Sequence, residues 1–187
     1  MMEGVHEQEM GTAGFPATLI QTVDTAISVA AGFIAIAALV ALFLSLGAEV
    51  VVRYLTTQGL GWPSEMPNLL FPWLVMGGVV LAAQHGAHIS VSLLLDMIGR
   101  GPARLLLLAM QVVVGAVFFY LAYIGLDVLE VTSTEYFPVT RVPSSWAYLA
   151  LIAGFVGIGL TAVTTFGRLL LAEDPRLVRA HAAEEEL

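Results

Sequence analysis

Four long stretches without a single charged residue constrain this chain more than anything else in it. They run over Thr25–Ala48, Met66–Gln84, Leu105–Leu126 and Val142–Gly167, with 24, 19, 22 and 26 residues. A helix needs about 20 apolar residues to cross a hydrocarbon core of roughly 30 Å. Only α-helices and closed β-barrels satisfy every backbone group in lipid. Barrel strands come as alternating segments of about 10 residues, and these stretches do not alternate. A soluble domain of the chain's length, 187 residues, would carry about 25% charged residues. This one carries 12%, with 58% hydrophobic. The expected fold is an all-α integral membrane protein with four transmembrane helices in one domain, 1–187. A polar tail covers 1–24 and another covers 173–187.

Orientation follows from the arginines, since there is no lysine. Arg100 and Arg104 lie between the second and third stretches, and Arg168, Arg176 and Arg179 follow the fourth. Only Arg53 and Arg141 lie in the other two connectors. The positive-inside rule then puts both termini in the cytoplasm. The N-terminal tail holds Glu3, Glu7 and Glu9 and no basic residue. A signal peptide wants a basic start, so the first stretch is read as a retained helix. A net charge of -8 without a basic patch argues against nucleic acid as a partner. With no cysteine, disulfides and thiolate chemistry are excluded. Trp62, Phe137 and Trp146 fall near outer span ends, where aromatic side chains anchor at the interface.

Small residues recur at helical spacing in two spans. Span one has Ala31, Ala35, Ala38, Ser45 and Ala48. Span four has Ala150, Gly154, Gly157, Thr161 and Thr164. Such stripes let helix backbones approach closely in lipid. They serve packing within the chain or docking onto another subunit, and spacing does not choose. Ser64 is placed to cap span two, Pro67 fits its first turn, and Pro72 and Gly77-Gly78 mark soft points deeper in. The segment 89–98, ISVSLLLDMI, is too short to span. Ser92 and Asp96 share one face and leucines cover most of the rest, which predicts a short interfacial helix. Pro102 then opens span three.

An ionisable group inside a membrane is a functional candidate by default, and the four spans contain none. Their strong polar groups are Ser45, Asn68, Gln111, Thr161, Thr164 and Thr165. A secondary transporter needs a midplane site of broken helices and polar groups, and there is little here to build one. Glu49 and Arg53, four apart at the outer end of span one, fit an interfacial ion pair or a docking contact. Glu65, at the outer start of span two, fits a favourable charge at a helix N-terminus or a recognition point. His85 and His88 suggest metal or haem by spacing. The other histidines, His6 and His181, lie in the tails, so an interfacial role fits better. No Ser-His-Asp set, phosphate loop or metal cluster is visible. The chain is read as no enzyme, with no cofactor of its own.

Read in order, Arg53-Tyr54, Trp62 with Glu65, Phe71 and Trp73, Gly77-Gly78, and His88-Ile89 with Val91 form a pattern. It resembles the small membrane subunit of tripartite ATP-independent periplasmic (TRAP) transporters, the DctQ-type small permease. The likeness is good over Glu49 to about Asp96, with a weaker stretch over Pro138–Tyr148. Ser92 stands where the family often has an acid, and Pro63 where it often has an acid or hydroxyl. The resemblance implies a non-catalytic scaffold in the bacterial inner membrane. Its partners would be a large membrane subunit, which binds substrate and sodium, and a periplasmic substrate-binding protein. The complex would take up an organic acid or related solute on a sodium gradient. Arg53, Trp62 and Glu65 would shape the outer docking face. Trp73, His88 and the connector helix would stabilise the bundle. The alternative is a self-sufficient oligomeric exporter with Glu49 as its proton-coupled site. A coupling carboxylate should lie well inside a span, and Glu49 lies at an edge.

Overall fold

The structure, a computed structural model, describes residues 15–56, 59–85 and 100–171. The expected interfacial helix at 89–98, His88, the tail at 173–187 and residues 1–14 lie outside these. Helix α1 spans Phe15–Leu55, α2 Met66–His85, α3 Arg100–Thr132 and α4 Ser145–Leu171. A short 3-10 turn, Trp62–Ser64, precedes α2. All four helices are long and apolar enough to cross a membrane. The described residues contain no strand, only an isolated antiparallel bridge between Tyr136 and Pro143.

Three helices outrun the uncharged stretches. Helix α1 begins at Phe15 rather than near residue 25, and α3 runs from 100 to 132 rather than from 105 to 126. Charge marks where hydrocarbon ends, not where backbone hydrogen bonding ends. Helix α4 starts later than its stretch, at Ser145, because Val142-Pro143-Ser144 belongs to the preceding loop. Helix α2 continues through Pro72. Ser64 does not cap it: its hydroxyl donates to the Gly61 carbonyl at 2.5 Å and closes the 3-10 turn instead.

The most enclosed helix is α4, which packs between α2 and α3. Glycines make both contacts possible. Toward α2, a Cβ on Gly154 would meet Met76 Cβ at 2.8 Å, and one on Gly157 would meet Val80 at 3.0 Å. The small-residue stripe of this helix is thus turned onto its own chain. Toward α3, Gly159 lies under the Phe119 ring, and Gly125 of α3 lies against Ile152. Helix α1 closes on α2 in the same way: a Cβ on Gly77 would sit 2.9 Å from the Ala31 carbonyl oxygen and 3.0 Å from Ala35 Cβ. Gly78 faces open space. Ala31, Ala35, Ala38 and Ser45, the α1 stripe, are buried. Hydrocarbon offers no hydrophobic drive between helices, so close van der Waals contact is what binds them.

Filling a glycine contact should separate the helices. We expect Gly154→Val to lower stability in mild detergent by about 1–3 kcal/mol, the usual cost of overpacking. Thermal unfolding of the purified chain measures it, and Gly78→Val, facing open space, should unfold like the native chain.

Candidate functional site

Charged and polar side chains gather at the two ends of the bundle. At one end, Glu65 sits just before α2 and is 7% exposed. Its position follows from the turn before it. Gly61 adopts φ 76°, a conformation that favours glycine, and the fully buried Pro63 stiffens the next step. The Glu65 carboxylate then reaches the loop joining α3 to α4. Oε1 accepts the Val139 N–H at 2.9 Å. Oε2 accepts the Thr140 N–H at 2.8 Å and the Thr140 hydroxyl at 2.7 Å. The loop folds on itself as well. Phe137 N–H donates to the Val142 carbonyl at 3.0 Å, and Arg141 N–H to Phe137 at 3.0 Å. Arg141 takes φ 56°, and its side chain is exposed.

One and a half turns into α2, Trp73 packs on Trp146 at the start of α4, with ring centroids 5.3 Å apart and planes tilted by 42°. The family-pattern residues Trp62, Glu65 and Trp73 and the weaker stretch 138–148 are therefore one assembly in space. The Trp73 Nε1 atom is buried without a hydrogen-bond partner. It borders a cleft of about 160 Å³ between α1, α2 and α4, lined with Ala31, Met76, Gly77 and Gly154.

Arg53 and Tyr54 are exposed on the last turns of α1, Tyr54 at 83%. Trp62 is 38% exposed beside them in sequence. Glu49 does not pair with Arg53 among the described residues. Its Oε2 is buried and unpartnered, and Gly59 lies against its Oε1, which a Cβ there would meet at 2.6 Å. Of the two expected α4 hydroxyls, Thr161 donates back to the Gly157 carbonyl at 2.9 Å. Among the described residues, no three His, Cys, Asp or Glu side chains are grouped to hold a metal ion.

At the opposite end is a cluster that spacing did not reveal. Asp24 of α1 pairs with Arg168 of α4 and accepts the Thr164 hydroxyl at 2.6 Å. The Gln84 side-chain amide of α2 donates to the Asp24 backbone carbonyl at 3.2 Å. Arg104 of α3 donates to the Leu170 carbonyl at 2.5 Å. Asp24 and Arg168 each lie one residue beyond an uncharged stretch, on the same side of the bundle. That shared depth was the available signal for the pair.

Residues 42–172 match the family described as tripartite ATP-independent periplasmic transporters, DctQ component. The chain belongs to this family. It is 25% identical over 124 residues to a Haemophilus influenzae protein named as a TRAP transporter small permease, covering 66% of this chain and 75% of that one. It is 25% identical over 164 residues to the ectoine TRAP transporter small permease TeaB of Halomonas elongata, covering 87% and 84%. An uncharacterized Sinorhizobium fredii protein, y4mM, is 33% identical over 132 residues, 70% of this chain. There the chain spans only 24% of the relative's length. This small permease is a multi-pass protein of the bacterial inner membrane.

Two substitutions test the end clusters. With Glu65→Ala, amide exchange at Val139 and Thr140 should rise at least about tenfold, since hydrogen bonds to charged groups are worth about 1.5–3 kcal/mol. Exchange in the middle of α4 should not change. Asp24→Asn should cost about 1–2 kcal/mol on thermal unfolding, between the values of exposed and buried ion pairs.

Proposed function

We propose that this chain is the non-catalytic scaffold subunit of a TRAP transporter. It binds the large membrane subunit and helps receive a periplasmic substrate-binding protein, in support of sodium-driven uptake of an organic acid or related solute. The observation that carries this reading is where the charges lie. Within a DctQ-family chain, the described ionisable side chains stand toward the helix ends, in the tie of Asp24 and Arg168 and in the clamp of Glu65. The middle of the bundle offers no charged site at which an ion or solute could be coupled. Such a chain supports transport by holding other subunits rather than by carrying solute itself. A stretch that forms part of a much larger protein in Sinorhizobium fredii and most of a small one in Haemophilus influenzae fits a module that works beside others.

In this reading the Glu65 end faces the periplasm, in keeping with the arginine distribution. The stiffened loop from Tyr136 to Pro143, with Arg53 and Trp62, forms the face that meets the binding protein. Glu65 acts there by fixing the loop, because its carboxylate is already occupied by Val139 and Thr140. The exporter reading asked Glu49 to titrate inside a span. Glu49 lies in the last two turns of α1, and the named relatives are small permeases.

Tagged chain purified from its native membrane should retain the large membrane subunit at one-to-one stoichiometry. A homo-oligomer without that subunit would overturn the scaffold reading. Glu65→Arg should reduce uptake by releasing the loop, and unchanged uptake with unchanged docking would remove the loop from the docking face.

A further inference from the structure

Helices α2 and α3 both lean on α4 and leave a groove of about 390 Å³ between them. Packed protein interiors hold few voids larger than one water, whose share of liquid volume is about 30 Å³. The groove is therefore an unfilled seat. Val79 and Ala82 of α2, both exposed, form one wall, and Met110 of α3 forms part of the other.

Its lining is not purely apolar. Gln111 of α3 and Thr165 of α4 both border it. Neither side chain hydrogen-bonds to any group among the described residues, although Thr161 and Thr164 next to Thr165 both do. Gln111 stands eleven residues from Arg100 along α3, about 16 Å at 1.5 Å per residue. That is well within a hydrocarbon core of roughly 30 Å. An amide brings two donors and an acceptor, and leaving them unmet in lipid is costly. An acyl chain has no group to meet them. A second copy of this chain would oppose one concave face to another and leave both grooves unfilled.

We infer that the groove between α2 and α3 seats a transmembrane helix of the large membrane subunit, one that carries a hydrogen-bonding side chain opposite Gln111 and Thr165. This rests on the scaffold reading above and names the face through which the scaffold acts. Small residues at Ala82 and Ala162 on the groove surface let such a helix come close, as helices in lipid do.

The chain has no cysteine, so single cysteines report cleanly. Ala82→Cys and Met110→Cys, one on each wall, are each co-expressed with the large membrane subunit of the same organism. They are treated in native membranes with a short thiol-to-photoreactive cross-linker. Both should give a product with the mass of this chain plus the large subunit. In purified complex, Gln111→Leu combined with Thr165→Val should weaken retention of the large subunit about three- to twentyfold, the range for one or two interhelical hydrogen bonds in lipid. The double variant should fold as stably as the native chain, since it loses no internal bond. An intact complex with no cross-link from either wall overturns the groove and leaves the scaffold reading standing. A product at twice the mass of this chain overturns it in favour of a homodimer. Failure of the native chain to hold the large subunit overturns both.

Discussion

Everything in this bundle depends on how closely α4 can approach its neighbours. In lipid, apolar side chains gain nothing by leaving one apolar medium for another, and contact at short range must do the work instead. Helix α4 meets that demand with glycines on two faces, Gly154 and Gly157 toward α2 and Gly159 toward α3. Because α4 comes this close to α2, Trp146 reaches Trp73 at the head of the same interface. Because α3 comes this close to α4, the loop between them is short enough to fold back over the turn before α2. The clamp at Glu65 is a downstream result of backbone contact in the membrane.

The two ends use charge differently. Glu65 spends its carboxylate on backbone donors of a loop and so fixes a surface. Asp24 spends its own on Arg168 and Thr164 and so fastens the first helix to the last. Between them the helices carry hydroxyls that mostly bond back to their own backbones, as Thr161 does. The ends are thus tied within the chain, while the long sides are left apolar and open. That division suits a protein whose sides meet lipid and other membrane subunits.

Four helices were legible in the sequence because an uncharged run of 20 residues has few other uses. Their true lengths were not, since α1 gains ten residues before Thr25 that lie outside hydrocarbon yet keep helical hydrogen bonds. The stripe at Gly154 and Gly157 was legible as a contact, but its partner was not. Small residues say that something comes close, and only the register with Met76 and Val80 says what. The importance of Glu65 could be seen from its place in the family pattern. Its mode of action could not, because Val139 and Thr140 are more than 70 residues away and contribute mainly peptide N–H groups, which every residue but proline has. The pair of Asp24 and Arg168 was hidden for a similar reason: depth in the membrane brings them together, and sequence distance gives no sign of it.

The clamp on the loop has a consequence for variation. Glu65 grips chiefly the peptide groups of Val139 and Thr140, so its hold is nearly blind to side-chain identity. Any residue except proline can present an N–H at either position. The exposed side chains around them, Tyr136, Val139 and Arg141, can be exchanged while the frame beneath stays put. Two related chains could thus carry different surfaces on one scaffold, and new pairings could evolve by changing the loop's outward face alone.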